Sequence, residues 1–315
     1  MIDGALEKII SRADYRILTY QLRFEEDTSL PAYALLRLRR ELNLLLKSDL
    51  NSTFSHSEFR KLLQPELPSD PVLLRRVQQP APGFIIHIDQ LQPCQFSAGE
   101  LFNLPVCFFG NGILLVEPFT CLLESLGPIG ISNKAGRFRL ESVLESCESD
   151  ASRTLWSGGK IEFTPRTFDL SQRVEDSHRD TVTFELVTPA RLLKNSRPLF
   201  RPSFAEVFPY VLRRVTGMLA SWAELEDVFE VRDLLECSEN LFESENSLAW
   251  QDWRPLRKRE DVGGLSGAVI LSGPELKDLW PILKIGELFG IGKGAAFGAG
   301  RYRLIKVRDV VGPVP

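Results

Sequence analysis

Apolar residues follow strand and helix periods in the same order in both halves of this chain. In the first half, residues 15–24 (YRILTYQLRF) alternate as a strand does, and leucines recur at helical spacing over 31–47. Two apolar runs follow, FIIHID at 84–89 and LPVCFFGNGILLV at 104–116, and Asn111-Gly112 predicts a hairpin-like turn in the second run. A helix, EPFTCLLESL, and a strand, GRFRLESV, complete the order β-α-β-β-α-β of the ferredoxin-like fold.

The second half repeats this order with different spacers. TVTFELVTP and GGLSGAVILS predict strands, and 202–225 predicts a helix that Pro209 interrupts or delays. A helix over 274–289 and a strand over 301–307 end the pattern. We therefore predict an α+β protein of two tandem ferredoxin-like (βαββαβ) domains, over 1–150 and 179–315, joined by a polar linker at 151–178 with room for one accessory strand near 160–168.

A glycine-rich segment supports this duplication. Residues 290–304, GIGKGAAFGAGRYRL, have a shorter copy at 130–140, GISNKAGRFRL, and each copy lies between a predicted helix and a predicted strand. The copies share Gly-Arg-aromatic-Arg-Leu, beginning at Gly136 and at Gly300. A loop-and-strand unit that occurs twice is most simply explained by two similar domains.

The longer copy has the composition of an anion site. Alternating glycines expose backbone N–H groups, and Lys293 lies among them, ahead of Arg301 and Arg303. A nucleotide-binding P-loop needs Ser or Thr after Gly-Lys and a strand before the loop, whereas here Gly294 follows Lys293 and a helix precedes the loop. A dinucleotide-binding fingerprint also needs a preceding strand, so the predicted helix excludes that motif too. The alternative is a permissive helix-to-strand connection without a ligand.

Charge is distributed unevenly along the chain. Residues 221–252 hold ten acids and one base, a net −9, so removing them from the total of −4 leaves +5. Basic residues cluster on one face of the helix at 31–47, at 254–259 and at the C-terminal end. Such local basic surfaces are typical of proteins that bind nucleic acids, and the alternative is a charged face that contacts only solvent. We expect the acidic stretch to face solvent rather than a protein partner.

Composition excludes several classes of protein. An apolar content of 43% with 25% charged residues is typical of a globular protein, and no apolar run has the length of a membrane span. The charged start is not a secretory signal, so we expect a cytoplasmic protein that does not bind membranes. The five cysteines contain no C-x-x-C pair, and we predict neither a metal site nor a cofactor.

Most of the chain resembles the CRISPR-associated RAMP endoribonucleases, which process precursor CRISPR RNA. The motifs that carry the resemblance are Trp250-x-Asp252-Trp253, GGLSGAVILSG, LKIGELFGIGKG and FGAGRYRL near the C-terminus, and TFELVTPARLL, Leu212-Arg213-Arg214, QQPAPGFIIHI and LFNLPVCFFGNGILLVEPF upstream. The resemblance implies binding of CRISPR repeat RNA or guide RNA, with other CRISPR-associated proteins as further partners.

The chemistry implied by this resemblance is metal-independent endonucleolytic cleavage. The ribose 2′-OH would attack the adjacent phosphate and leave a 2′,3′-cyclic phosphate and a 5′-OH. The alternative is a catalytically inactive RNA-binding subunit or adaptor of a CRISPR effector or adaptation complex. The region around Pro31-Ala32-Tyr33 departs from the family's pattern, because no glycine follows in the predicted helix.

Cleavage of this kind needs a base, an acid and groups that stabilise the phosphorane. His56 follows Ser55 in a capping-box pattern and is our candidate acid or base, with Tyr33 and Lys47 as partners; the alternative is an exposed first-turn residue without a catalytic role. His87 is predicted on the outward face of a strand, and His178 falls in the linker. The predicted RNA-binding residues are Arg39, Arg40, Lys134, Arg137, Gly290, Gly292, Lys293, Gly294, Gly298, Gly300, Arg301 and Arg303.

Overall fold

Two antiparallel sheets, each with its own helices, make up the fold in a computed structural model of the chain. The structure describes residues 10–47, 54–66, 80–89, 91–145, 153–157, 160–161, 167–174, 180–226, 228–253 and 262–306. The predicted boundaries at 150 and 178 fall on residues outside this set, so they remain predictions.

The N-terminal sheet has the ferredoxin-like strand order. Its central strands run in the order β3-β5-β1-β6 with antiparallel pairing throughout, and β7 and β8 extend it beyond β6. The elements of this half are β1 (Asp14–Phe24), β2 (Thr28–Leu30), a 3-10 turn (Leu35–Arg37), α1 (Leu38–Leu45), α2 (His56–Leu63), β3 (Phe84–Ile86), β4 (Cys94–Phe96), β5 (Leu101–Phe109), a 3-10 helix (Gly110–Leu115), α3 (Val116–Leu126), β6 (Phe138–Glu145), β7 (Arg153–Ser157), β8 (Lys160–Ile161), β9 (Phe168–Asp169) and α4 (Leu170–Val174).

The C-terminal sheet repeats this arrangement in the order β13-β15-β10-β16, with β14 also paired to β15. Its helices α5 and α7 pack against each other, as the two helices of a ferredoxin-like unit do. The elements are β10 (Thr181–Ala190), β11 (Leu193–Lys194), β12 (Arg197–Pro198), α5 (Phe204–Ala223), α6 (Val231–Asn240), β13 (Phe242–Ser244), β14 (Ala249–Trp253), β15 (Val262–Ser272), α7 (Leu276–Phe289), a 3-10 turn (Ala295–Phe297) and β16 (Tyr302–Lys306). The predicted tandem ferredoxin-like fold is confirmed.

Both faces of the N-terminal sheet are covered. Leu18 and Tyr20 on β1 belong to the core beneath the N-terminal helices, whereas Tyr15 on the opposite face joins the core of the C-terminal half. Phe109 lies opposite Tyr15 and stacks edge-on against Phe289 of α7, with ring centroids 4.8 Å apart. Alternation along a strand therefore divides these side chains between two cores rather than between a core and solvent.

Three local predictions were wrong. Asn111-Gly112 does not form a hairpin turn but lies in the 3-10 helix before α3, where Gly112 approaches the Gly83 carbonyl so closely that a Cβ would lie 2.3 Å from it. Pro209 neither interrupts nor delays α5, because the Ser203 capping box starts the helix ahead of the proline. The helix predicted over 31–47 is shorter, since Tyr33 has φ of 60° and α1 begins only at Leu38.

Two strands of the C-terminal sheet, β13 and β14, were not predicted. β13 lies in the acidic stretch and β14 at its end, where short segments such as FES carry little apolar alternation. No helix among the described residues is long and apolar enough to cross a membrane.

Candidate nucleic-acid interface

The glycine-rich loop links α7 to β16 and depends on glycine for its conformation. After α7 ends at Phe289, the chain passes through a 3-10 turn at Ala295–Phe297 before β16 begins. All five loop glycines have φ between 63° and 89°, a region that other residues enter only with strain. The glycine spacing seen in the sequence is therefore required by the backbone itself.

The two copies of the loop close in the same way. The Ile131 N–H donates to the Gly136 carbonyl at 3.1 Å, and the Ile291 N–H donates to the Gly300 carbonyl at 2.8 Å. Four residues separate the bonded pair in the first copy and eight in the second. The additional residues form the 3-10 turn, so the longer loop carries a projection that the shorter loop lacks.

This projection packs into the N-terminal half of the protein. Phe297 is buried in the N-terminal core and stacks edge-on against Phe84 of β3, with centroids 5.6 Å apart. A Cβ on Gly298 would lie 2.6 Å from Cδ1 of Ile88, so the isoleucine occupies the space that the glycine leaves. Asp89 forms an ion pair with Arg301. Residues 84–89, which we call the strap, thus hold the loop against the other half of the chain.

The position of His87 within the strap corrects our prediction of an outward-facing residue. Its imidazole is 8% exposed, and Nε2 lies 3.1 Å from the carbonyl oxygen of Leu288 in the last turn of α7. Because a carbonyl only accepts, Nε2 carries the proton. Burial, and then the positive charge of Arg301, lower the pKa of His87 to about 4. The imidazole is therefore neutral near pH 7 and serves to join the two halves.

Helix α1 reaches the glycine loop from the other side. The Arg39 guanidinium lies over the Phe297 ring, 5.5 Å from its centroid, which is a cation–π distance. Arg40 is exposed on the same helix, and Lys47 is exposed just beyond its end. The Tyr33 N–H donates to the Leu91 carbonyl at 2.9 Å, immediately after the strap. The predicted basic helix face and the glycine loop therefore meet in space.

His56 lies in the same helical layer. It is the first residue of α2 and is exposed, and the predicted capping box is present: the Glu58 N–H donates to Ser55 Oγ at 3.3 Å and the Ser55 N–H donates to Glu58 Oε2 at 2.7 Å. Both α1 and α2 pack against α3. From this layer, Arg39 contacts the Phe297 ring of the loop. His178 lies outside the described residues.

Three of the predicted RNA-binding arginines are neutralised by carboxylates. Arg137 pairs with Glu26 at 2.7 Å, Arg303 Nε lies 2.5 Å from Glu185, and Arg301 pairs with Asp89. Lys134 is exposed in the first loop, where its φ is 66°. The positive potential of these arginines is reduced by their partners, which the sequence alone did not indicate.

Lys293 differs from these arginines. It is exposed in the longer loop and has no ion pair within the described part of the chain. The backbone N–H groups of Gly292 and Gly294 on either side of it, and those of Ala295 and Ala296, likewise donate to no other described residue. An unpaired ammonium beside unpaired N–H groups is suited to bind a phosphate oxygen.

The glycines divide into two groups by their surroundings. A Cβ on Gly300 would lie 1.9 Å from the Ile291 carbonyl, and one on Gly292 would lie 2.7 Å from the Arg191 carbonyl. Gly290 is moderately crowded, with its nearest atoms at 3.2 Å. At Gly294 the nearest atom would be 3.5 Å away, an ordinary contact. The open side of the loop is therefore at Lys293 and Gly294, and the opposite side is held by protein.

Sequence reasoning missed the strap as the partner of the loop. A signal was present, because Phe84, Ile85 and Ile86 form a continuous apolar run, and all three are buried. Such a run is typical of a strand covered on both faces.

The C-terminal half matches a known family. Residues 184–302 match the sequence model of the CRISPR-associated endoribonuclease Cas6, and residues 13–168 match a model described as an N-terminal domain. No curated protein matches the chain.

Solved structures extend the likeness to most of the chain. A Cas6 product complex is 15% identical, with 93% of this chain and 99% of that chain covered and a TM-score of 0.54. Thermus thermophilus Cas6 is 14% identical over 93% of this chain and 99% of that one, with a TM-score of 0.52.

A partial Cas6–RT–Cas1–Cas2 complex is 14% identical over 96% of this chain and 48% of that chain, with a TM-score of 0.55. At these identities the structures show the shared fold. Residues 184–302 of this chain are therefore similar to the CRISPR-associated endoribonuclease Cas6 family, and the chain has the tandem ferredoxin-like fold of those solved structures.

Proposed function

We propose that this protein binds CRISPR repeat RNA and processes precursor CRISPR RNA by metal-independent cleavage. One observation carries the proposal: in a domain similar to the Cas6 family, the glycine loop is held against the N-terminal half with its open side at Lys293 and Gly294, next to the basic face of α1. A phosphate bound there would lie between cationic groups from both halves. The RNA would therefore bind across the junction of the two sheets.

The proposed reaction uses the RNA's own 2′-OH as the nucleophile. His56 would take the proton from the 2′-OH or give one to the leaving 5′-oxygen, with Tyr33 and Lys47 as its partners. Lys293 and the loop amides would bind phosphate oxygens and offset the charge of the phosphorane. The exposure of His56 at the start of α2 leaves its imidazole accessible to a ligand as large as RNA.

Cleavage of end-labelled repeat RNA in EDTA tests this proposal. We expect a 2′,3′-cyclic phosphate product. His56→Ala should cleave about 100-fold or more slowly than the wild type, because it lacks the general acid or base, and its affinity for the RNA should be unchanged. Arg60→Ala, which removes an exposed side chain one turn further along α2, is the control. If His56→Ala cuts as fast as the wild type, His56 is not the catalytic residue.

The second candidate is an RNA-binding protein that does not cleave and acts as a subunit or adaptor beside other CRISPR-associated proteins. It is favoured by the match to a chain of a Cas6–RT–Cas1–Cas2 complex, in which the likeness covers only 48% of that chain. Tight binding of repeat RNA without any product would support this candidate. Absence of repeat-RNA binding even at low salt would refute both candidates, because phosphate contacts strengthen as salt falls.

A further inference from the structure

A second basic surface begins at the glycine loop and was not predicted from the sequence. Between Glu185 and Glu206 the chain contains four bases and no acid. The bases are Arg191, Lys194, Arg197 and Arg201, and the short hairpin of β11 and β12 carries two of them. We call residues 191–201 the basic ribbon.

The exposed charges of the basic ribbon have no ion-pair partner among the described residues. These charges are on Lys194, Arg197 and Arg201. Arg137 and Arg303 elsewhere on the surface are paired with glutamates. Adjacent like charges without acidic partners do not stabilise the fold, so they are available to an anionic ligand.

The basic ribbon is continuous with the glycine loop. The Lys293 N–H donates to the Arg191 carbonyl at 3.1 Å, which places the two residues side by side. Nε of Arg191 is buried and has no hydrogen-bond partner among the described residues. A polyanion bound at Lys293 would therefore meet the first base of the ribbon without a gap.

An exposed aromatic ring lies at the other end of the basic ribbon. Phe200 is 66% exposed between Leu199 and Arg201. Its backbone is held in place, since the Trp250 N–H donates to the Phe200 carbonyl at 2.7 Å. A surface pocket of about 510 Å³ lies next to it, lined by Lys194, Asn195, Arg197, Pro198 and Leu199. Exposed aromatic rings among basic side chains are how proteins bind unpaired nucleotides, by stacking bases and pairing phosphates.

We propose that the basic ribbon binds a single-stranded segment of RNA that continues from the glycine loop. Phosphates would bind Lys194, Arg197 and Arg201, and one base would stack on Phe200. This inference rests on the proposed function in taking RNA as the ligand, but it concerns a separate surface. A paired stem cannot stack a base on Phe200, so the ligand here is unpaired RNA.

Stacking is tested with a short labelled oligoadenylate and an abasic oligomer with the same phosphates. Phe200→Ala should weaken oligoadenylate binding by at least about fivefold and leave binding of the abasic oligomer unchanged. Phe242→Ala is a matched control, because Phe242 is also 66% exposed in the same half of the chain, and it should bind both oligomers as the wild type does.

Phosphate contacts are tested by removing two charges. Lys194→Gln with Arg197→Gln should weaken binding of both oligomers and reduce the slope of log affinity against log salt by about 1.4, the value for two single-strand contacts. Lys277→Gln with Arg232→Gln removes two exposed charges from α7 and α6 and should change neither quantity.

The proposal is overturned if Phe200→Ala binds oligoadenylate as the wild type does, or if it loses binding to both oligomers equally. Unchanged binding in the charge variant overturns the phosphate contacts, and the ribbon would then suit an acidic protein segment instead. Binding of repeat RNA by the wild type separates the two proposals. Repeat-RNA binding without any effect of these variants refutes the ribbon alone, whereas Phe200-dependent binding of oligoadenylate without repeat-RNA binding refutes only the proposed function.

Discussion

Gly298→Ala tests whether the N-terminal half holds the glycine loop. Gly298 has φ of 89°, and a Cβ there would lie 2.6, 2.8 and 3.0 Å from Cδ1, Cγ1 and Cβ of Ile88. Gly294 also has φ of 89°, but the nearest atom to its Cβ would be 3.5 Å away. The two substitutions therefore impose the same backbone strain and differ in the clash with the strap.

The expected costs follow from these two contributions. A left-handed conformation costs an alanine about 1–2 kcal/mol, which is all that Gly294→Ala should lose. Gly298→Ala adds overpacking against a 2% exposed isoleucine, worth about 1–3 kcal/mol, for a total of about 2–5 kcal/mol. The difference between the two variants, about 1–3 kcal/mol, is the cost of crowding the strap.

Denaturant unfolding of both variants measures this difference in free energy. A third substitution, Ile88→Ala, shows whether the difference comes from the contact with the strap. In an Ile88→Ala background the contacts with Cδ1 and Cγ1 are removed and only the 3.0 Å contact with Cβ remains, so the extra cost of Gly298→Ala over Gly294→Ala should fall sharply. Ile88→Ala alone should cost about 2–5 kcal/mol as a buried cavity. Equal losses from Gly298→Ala and Gly294→Ala, or no coupling to Ile88, would show that the strap does not hold the loop.

Two further predictions concern pH and charge. The pKa of His87 is about 4 in the folded protein and 6.5 in the unfolded chain. Well above pH 6.5 the imidazole is neutral in both states. Between about pH 6.5 and 4 it is protonated in the unfolded chain but neutral in the folded protein, so the folded state loses stability as the pH falls through this range. The wild type should therefore lose about 2 kcal/mol more than His87→Gln between pH 7.5 and 5 in chemical unfolding, and parallel pH profiles would contradict this. In RNA titrations at fixed salt, Lys293→Ala should weaken binding by about tenfold. Arg303→Ala should weaken it much less, because Arg303 is paired with Glu185. Equal losses of affinity in the two variants would argue against the open side of the loop as the phosphate site.

Local patterns predicted most of the elements, and their failures have a common cause. The alternation of β1, the helical spacing of α7 and the capping box at Ser55 depend on neighbours a few residues away, and each is present. Asn111-Gly112 failed because Gly112 lies against the backbone of Gly83, a contact that turn chemistry does not encode. The prediction for His87 failed for the same reason, since the C-terminal half covers this part of the strap and the imidazole contacts the Leu288 carbonyl.

The residue types of the candidate site could be predicted from the sequence, but the ion pairs that its basic residues form could not. The glycines and Lys293 of the loop could be identified from the sequence, because a backbone with positive φ needs glycine wherever it occurs. The sequence did not show that Arg301 and Arg303 face carboxylates. Nor did it show that Arg191, Lys194 and Arg197 form no ion pair with a described carboxylate. The absence of acidic residues between Glu185 and Glu206 indicates the basic ribbon, but hydrophobic periodicity does not detect such a pattern of charge.

By itself, the sequence determined most of the strands and helices in their order, the duplication of the loop and the glycine positions, since each depends on short-range sterics and periodicity. The tertiary structure decided which side of the loop is open, which arginines are neutralised and why His87 is buried. Those properties arise from contacts between residues far apart in the chain, such as His87 with Leu288 and Asp89 with Arg301, whose separations are 201 and 212 residues. Burial and charge pairing depend on which surfaces meet, and that is settled only when the two halves pack together.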